Sequence, residues 1–185
     1  MRACTIITGE INCGKTSLLR RILLGRKNRD LRTGGVIGLP IYHDGLKAGY
    51  DVMDVRLGGA VPLLRDIDRL DNCGRIDGMR IGRFFLFTGG LEFAGRVLRR
   101  EGGLTDGIQE AAAAAGELPV DTLCIDELGP LEMKGGGYAP VFHSLLGSFT
   151  GELILVSRGE SLEWVEDQCS QYGWPVNIEK VRRNI

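Results

Sequence analysis

The sequence has no apolar run long enough to cross a bilayer, and aromatic residues make up only 6% of its 185 positions. Its first residues lack the charged and apolar regions of a secretory signal. The five cysteines are scattered and form no Cys-x-x-Cys pair, so neither a zinc site nor a disulfide framework is indicated. We therefore expect a cytoplasmic protein without membrane contact.

A strong charge of either sign is also lacking, because the formal net charge is −1 and the isoelectric point is near 6.2. The chain has no overall positive field of the kind that attracts nucleic acid, so we expect no nucleic-acid partner. One basic stretch, Arg20 to Arg32, is an exception. No aromatic residue lies among its arginines to stack on bases, and such a stretch is typical of a solvated helix end.

Glycine is abundant, with 28 residues, and two glycines frame a pattern near the start of the chain. Gly9, Gly14, Lys15 and Thr16 fit G-x-x-x-x-G-K-[ST]. In this pattern backbone N–H groups surround phosphates, the lysine reaches the β and γ oxygens, and the hydroxyl binds magnesium. The alternative is an ordinary glycine turn between a strand and a helix. The predicted nucleotide-binding residues are Gly9, Glu10, Ile11, Asn12, Cys13, Gly14, Lys15, Thr16 and Ser17.

The residues on both sides of this loop favour phosphate binding. Residues 3–8 are mostly apolar and rich in β-branched side chains, which predicts a strand buried on both faces of a parallel sheet. Apolar residues from Leu18 to Leu23 recur at helical spacing, and we expect Gly25 to end that helix. Strand, loop and helix is the order that a phosphate-binding loop requires.

An acidic pair follows a second apolar strand, Thr122 to Ile125. Ligands of open α/β sheets collect at the carboxyl ends of strands, so we expect Asp126 and Thr16 to meet across neighbouring strands. Asp126 would then hold magnesium, through a water molecule, and Glu127 would activate the water that attacks the γ-phosphorus. The alternative is that both acids cap a turn.

Other polar residues near the predicted site allow two interpretations each. Arg158 ends the strand that we expect beside the acidic one, where it would sense the γ-phosphate or neutralise charge, or else lie at the surface. Glu132 either supports the acidic pair or faces solvent. The two histidines, His43 and His143, have no partners at ligand spacing, so we assign them no metal or acid–base role.

The fold that these segments predict is α/β, with a mainly parallel central sheet and flanking helices, in one domain spanning residues 1–185. The hydrophobic pattern of residues 34–88 differs from that of the predicted parallel strands, and we expect these residues to form an antiparallel β insertion. Apolar runs at 35–42 and 46–53 flank His43-Asp44-Gly45, which signals a hairpin whose first arm is an edge or kinked strand at Pro40. Further strands are predicted at 61–64, 81–87, 153–156 and 176–181, and helices at 91–100, 106–115, 139–146 and 162–172.

Four segments, in this order, resemble the THEP-type family of small nucleoside triphosphatases: GEINCGKT, TGGVIGLPIYHDGLKAGYDV, MRIGRFFLF and CIDELGPLE. The resemblance covers most of the chain up to about Glu132. It implies a RecA-like P-loop fold of the additional-strand type, which hydrolyses ATP, GTP and other nucleoside triphosphates with Mg²⁺. The resemblance also implies that Gly9, Gly14, Lys15 and Thr16 bind phosphate and metal, and that Asp126 and Glu127 are the acidic pair. The sequence departs from the family at Gly38-Leu39-Pro40, where polar threonine and acidic residues are common.

Two other functions fit the same motifs. A nucleoside or nucleotide kinase would share the loop and would need an arginine-bearing lid. The arginines that we consider for such a lid are Arg80, Arg83, Arg96, Arg99 and Arg100. A nucleotide-controlled binding or cofactor-delivery module would instead meet a protein partner through an exposed strand edge at residues 36–41. A switch GTPase is disfavoured, because the chain has no Asn-Lys-x-Asp or Thr-Lys-x-Asp motif.

Overall fold

The computed structural model describes residues 2–70, 77–104 and 119–182. The strands are β1 (Ala3–Gly9), β2 (Thr33–His43), β3 (Leu46–Asp54), β4 (Ala60–Asp66), β5 (Gly78–Ile81), β6 (Phe84–Phe87), β7 (Thr122–Leu128), β8 (Glu152–Arg158) and β9 (Val176–Val181). The helices are α1 (Lys15–Lys27), α2 (Thr88–Gly102), α3 (Pro130–Met133), α4 (Ala139–Ser148) and α5 (Leu162–Gln171). All nine strands join one sheet in the order β5-β6-β4-β3-β2-β7-β8-β1-β9.

Five strands, from β2 through β7, β8 and β1 to β9, run parallel and form the centre of the molecule. Neighbouring residues of a strand point to opposite faces, so Ile6 and Ile7 of β1 pack into hydrophobic clusters on opposite sides of the sheet. Ile7 packs on the side that α1 covers, whereas Ile6 packs on the side that α2, α4 and α5 cover. Because both faces of β1, β7 and β8 are buried, these three strands are mostly apolar, as the sequence predicts.

Strands β3, β4, β6 and β5 extend the sheet in antiparallel pairs. The predicted hairpin is confirmed, since Asp44 and Gly45 join β2 to β3 with φ angles of 52° and 74°. Positive φ at both turn residues matches the right-handed twist of the two strands. Beyond Val36, where the pairing of β2 with β7 ends, Pro40 lies in a part of β2 that pairs with β3 alone.

Two predicted boundaries are wrong. Residues 81–87 are not one strand, because Gly82, with φ of 58°, reverses the chain between β5 and β6. Gly25 does not end α1; the helix continues to Lys27, and the N–H of Asn28 closes its last turn on the carbonyl of Leu24. Nothing lies within 4 Å of a Cβ placed at Gly25, so this exposed position accommodates helical glycine without a packing demand.

The remaining helices and strands follow the predictions with small shifts of their ends, except α3 (Pro130–Met133), which was not predicted. The predicted helix 91–100 extends to Thr88–Gly102, and the strand 176–181 has its predicted bounds. The predicted helix at 106–115 lies outside the described residues. None of the helices in the described ranges is both long and apolar enough to cross a membrane.

The parallel strands place all predicted site residues at one edge of the sheet. Gly9 at the end of β1 lies in register with Arg158 at the end of β8, and Leu128 of β7 pairs with Ser157 of the same strand. The phosphate-binding loop, the acidic pair and Arg158 therefore follow the carboxyl ends of three adjacent strands. This is the edge where open α/β sheets bind ligands.

Candidate active site

The loop between β1 and α1 has a backbone that requires glycine. A Cβ at Gly9 would lie 2.5 Å from the carbonyl oxygen of Val181 and 2.8 Å from Sγ of Cys13. Gly14, the residue before α1, has φ of 97°, and Asn12 at the tip has φ of 61°. Glycine and asparagine adopt this left-handed region at the least cost. The loop therefore curls tightly enough for its backbone to approach a bound anion.

Lys15 lies within the curl of this loop. Its Nζ donates to the carbonyl oxygens of Gly9 at 2.9 Å and Glu10 at 2.7 Å, and only 8% of the residue is exposed. The ammonium group thus lies among backbone groups at the N-terminal end of α1, where the helix dipole is also positive. Ile11 is exposed at the loop tip and Ser17 is exposed on the first turn of α1.

Thr16 and Asp126 meet, as predicted. The Thr16 hydroxyl lies 3.0 Å from Oδ2 and 3.3 Å from Oδ1 of Asp126, to which it donates. The expectation that they meet across neighbouring strands is wrong, because β8 lies between β1 and β7. The contact forms because α1 crosses the sheet face and packs against β7 and β8 as well as β1.

Burial governs the ionisation of Asp126. Loss of solvent raises the pKa of its carboxyl to about 6, while hydrogen bonds from the N–H of Gly38 and the Thr16 hydroxyl favour the ionised form. A cation would stabilise the ionised form of such a carboxylate. Hydroxyl and carboxylate oxygens are ligands that magnesium prefers, so this pair suits the metal that the family implies.

Glu127 leaves the regular strand geometry. Successive side chains of a strand point to opposite faces, which would separate Asp126 from Glu127. The register of β7 against β8 shifts between Ile125 and Leu128, however, and Glu127 adopts φ of 78°. This bulge re-aims the two carboxylates at the end of the strand, and left-handed φ at a residue with a side chain is a strain found at functional sites.

Arg158 contacts the predicted base. Its Nε donates to Oε1 of Glu127, and both side chains are a little over one-third exposed, at 39% and 36%. The adjacency of β7 and β8 on which the sequence prediction rested is confirmed. Arg158 is therefore ion-paired with Glu127 and is not an isolated surface charge. Ser157, the preceding residue, is fully buried and donates to the carbonyl oxygen of Arg158.

Glu132 does not face solvent, so that alternative is wrong. The residue is 6% exposed, and its carboxylate accepts the backbone N–H groups of Gly129 at 2.8 Å and Tyr138 at 3.1 Å. Burial raises the pKa of this carboxyl, and the two N–H donors favour its ionised form. Glu132 thus fixes the segment that follows the acidic pair. Of the two histidines, His43 pairs with Asp44 at the hairpin turn, far in sequence from any of these acids.

The β2–β3 hairpin contributes to the site in a way that the sequence did not predict. Besides the N–H of Gly38, the hairpin supplies Lys47, whose Nζ donates to Oδ1 of Asn12 at 2.8 Å and to the Tyr50 hydroxyl at 2.7 Å. These contacts depend on the register of β3 against β2. A lysine shortly after an Asp-Gly turn carries no sequence signal that would place it on the phosphate-binding loop.

The family model described as NTPase matches residues 4–184 of this chain. The chain belongs to the NTPase family. The resemblance to THEP-type nucleoside triphosphatases is thereby confirmed, and the α/β P-loop fold agrees with it.

Three curated relatives of this NTPase-family chain are each named nucleoside-triphosphatase THEP1. The protein of Ignicoccus hospitalis is 28% identical over 131 residues, which cover 71% of this chain and 61% of that relative. The protein of Methanopyrus kandleri is 22% identical over 151 residues, or 82% of this chain and 71% of the relative. The solution structure of a human cancer-related nucleoside triphosphatase matches with a TM-score of 0.68 at 22% identity, covering 98% of this chain and 90% of that one. The last comparison supports the fold.

Proposed function

We propose that the chain is a magnesium-dependent nucleoside triphosphatase that cleaves the γ-phosphate of ATP, GTP and other nucleoside triphosphates, and that residues 1–185 act as one domain. The observation that carries the proposal is the 3.0 Å contact between the Thr16 hydroxyl and Asp126. It joins a phosphate-binding loop to a strand-end carboxylate, two parts that are far apart in sequence and that phosphoryl transfer needs together.

Residues 9–17 bind the triphosphate in this proposal. The backbone N–H groups of the loop and the N-terminus of α1 face the phosphate oxygens. Lys15 gives up the carbonyl oxygens of Gly9 and Glu10 and donates to the β and γ oxygens instead. A carbonyl oxygen is neutral and a phosphate is charged, so the exchange is favourable.

Thr16 and Asp126 would hold the Mg²⁺ ion, Asp126 through a water molecule. When bound, the ion neutralises charge on the β- and γ-phosphate oxygens. The two side chains already share a hydrogen bond, and Gly38 donates to the same carboxylate, so Asp126 is held in place before any ligand arrives.

Glu127 serves as the base that accepts a proton from the attacking water. Its carboxylate is partly exposed at the end of β7, where water can reach it, and Arg158 orients it through the Nε–Oε1 hydrogen bond. Arg158 also brings positive charge to the edge of the sheet where charge develops on the transferred group. The assignment explains why a strained, bulged backbone persists at this position.

A kinase is less well supported by the positions of the arginines. Arg100 pairs with Asp54 and Glu101 at the end of α2, and Arg83 lies 3.5 Å from Asp66. Arg100 is thus engaged in ion pairs within the framework, whereas Arg83 lies at the β2–β3 hairpin, where it also donates to the backbone carbonyl of Lys47. The binding-module alternative keeps part of its feature: Val36 and Ile37 are buried, but beyond Val36 strand β2 pairs with β3 alone, so its other edge has no strand partner among the described residues.

The proposal is tested by phosphate release from ATP, GTP, CTP and UTP, with magnesium and with EDTA, and with nucleosides added as acceptors. We expect slow release from several triphosphates that requires magnesium and is indifferent to acceptors. Stoichiometric phosphorylation of an acceptor would instead make the chain a kinase. Binding without release from any triphosphate would favour a nucleotide-controlled module.

A further inference from the structure

Lys47 reaches the phosphate-binding loop from the β2–β3 hairpin. Its Nζ lies 2.8 Å from the side-chain oxygen of Asn12, the loop-tip residue with positive φ. Thirty-five positions separate the two residues in sequence. The hairpin therefore places a second ammonium group at the loop.

Tyr50 and Arg83 hold Lys47 in this position. The ammonium lies 4.9 Å from the centre of the Tyr50 ring and donates to its hydroxyl at 2.7 Å. Arg83 donates to the backbone carbonyl of Lys47 at 2.6 Å. Ordering a flexible lysine side chain when a ligand binds costs conformational entropy. Because the ammonium group and the backbone of Lys47 are already held in place, this lysine is preorganised for a ligand.

The same part of the hairpin faces the metal side of the site. A Cβ at Gly38 would lie 3.6 Å both from Oδ2 of Asp126 and from Cδ1 of Tyr50. The Tyr50 ring and the Asp126 carboxylate thus border the same narrow space above Gly38. Lys47, which donates to the hydroxyl of that ring, also donates to Asn12 at the loop tip.

The charge of Lys47 is held by neutral groups. Among the described residues its two hydrogen-bond acceptors are an amide oxygen and a phenol oxygen. A lysine has three N–H donors, and an ammonium without an anionic partner is a ready ligand for an oxyanion. The phosphate-binding loop that Lys47 contacts is the predicted binding site of a triphosphate.

We propose that Lys47 contacts the terminal phosphate of the bound nucleotide, so that the hairpin supplies from the same chain a cation for the group that is transferred. This inference rests on the proposed function for the identity of the ligand. On binding, the ammonium exchanges the Asn12 oxygen for a phosphate oxygen. Lys47 thereby distinguishes triphosphates from diphosphates and stabilises charge as the terminal phosphate leaves.

The test compares binding of a non-hydrolysable ATP analogue and of ADP, both with magnesium, together with turnover of ATP. In Lys47→Ala we expect the dissociation constant of the analogue to rise at least tenfold, while that of ADP changes less than threefold. Turnover should fall by about 10²- to 10³-fold, as for loss of one oxyanion-stabilising donor. Lys47→Arg should recover most of both losses. Lys27→Ala, at the far end of α1, is the matched control and should behave as wild type.

Asn12→Gly separates a phosphate contact from mere anchoring of the hairpin, since it removes the amide and keeps a residue suited to positive φ. We expect this variant to retain the preference for the triphosphate analogue over ADP. If Asn12→Gly reproduces the loss in Lys47→Ala, and the double variant is no worse, Lys47 acts by anchoring and the inference is wrong.

Failure of the inference differs from failure of the proposed function. Wild-type hydrolysis with an unchanged Lys47→Ala variant would overturn the role of Lys47 alone. Loss of triphosphate preference in Lys47→Ala, in a protein that hydrolyses nothing, would support the contact and overturn the hydrolase. A wild-type protein with equal affinity for the analogue and ADP would also contradict the role of Lys47.

Discussion

Replacing Glu127 with glutamine tests the proposed base with little change of shape. Glutamine has the same length, and its side-chain oxygen can still accept the hydrogen bond from Nε of Arg158. It cannot accept a proton from water near neutral pH. We therefore expect turnover to fall by about 10²- to 10⁴-fold, which corresponds to roughly 3–5 kcal/mol of activation free energy.

The structure predicts a much smaller effect of the same change on folding. The Glu127 and Arg158 side chains are 36% and 39% exposed, so solvent screens their ion pair, which contributes about 0–1 kcal/mol. A chain of this size loses about 2–4 °C of melting temperature for each kcal/mol. The variant should therefore melt within about 4 °C of wild type while its catalysis is largely lost.

The assay is steady-state phosphate release from ATP, with calorimetric unfolding and nucleotide affinity measured on the same preparation. We expect the dissociation constant for ATP to change less than threefold. The reasoning is refuted if Glu127→Gln turns over within threefold of wild type, because Glu127 would then be a structural acid that supports the bulge in β7. Glu127→Ala with the same loss as Glu127→Gln would support the assigned role further.

Three further changes test other parts of the account. Lys15→Ala should weaken ATP binding by about 10- to 150-fold in a fluorescence titration, the range for one charge-assisted hydrogen bond, and should reduce turnover as well. Arg26→Gln should lower the free energy of unfolding by about 1 kcal/mol at neutral pH, because Arg26 holds the pKa of Glu152 below its ordinary 4.5. A carboxyl whose pKa is lowered by folding stabilises the fold fully at pH values above its unfolded pKa of 4.5, so this difference should shrink as the pH falls below about 4.5 and vanish once the pH is below the lowered pKa of the folded state. Gly35→Ala should destabilise the fold by about 3 kcal/mol or more in urea unfolding, since its Cβ would lie 2.0 Å from the Cys124 carbonyl oxygen.

Matched substitutions show what would contradict these expectations. Lys27→Ala changes an equally charged residue of α1 and should leave ATP affinity unchanged; equal weakening would mean that only net charge matters. Arg29→Gln removes an exposed cation and should show no dependence on pH of the Arg26→Gln kind. Gly59→Ala has nothing within 4 Å of its Cβ, so a loss equal to that of Gly35→Ala would refute the steric argument.

The parts of the site that local sequence determines were predictable. The bounds of β1, the loop from Gly9 to Thr16 and the position of Asp126 at a strand end follow from patterns within a few residues. The end of β8 at Arg158 was also predictable, because β8 is a short apolar run that ends in a charged residue, whereas the contact of Arg158 with Glu127 was not predicted. Such features need no knowledge of the distant parts of the chain.

Features that depend on register and burial were not predictable. Lys47 reaches the loop only because β3 pairs with β2 through a shift between Ile41 and Tyr42. The environment of Glu132 follows from the path of the glycine-rich segment after α3, which brings the N–H of Tyr138 onto its carboxylate. A one-residue change of register reverses which side chains face the site, and the sequence pattern alone does not determine it.

Hydrolysis of ATP in water enriched in ¹⁸O tests the central claim most directly. If Glu127 activates water for attack on the γ-phosphorus, each released phosphate should contain one oxygen from the solvent, and release should require magnesium. The ADP product should contain none. Solvent oxygen in the ADP, or phosphate transferred to an added nucleoside in place of release, would contradict the account of this chain as a nucleoside triphosphatase.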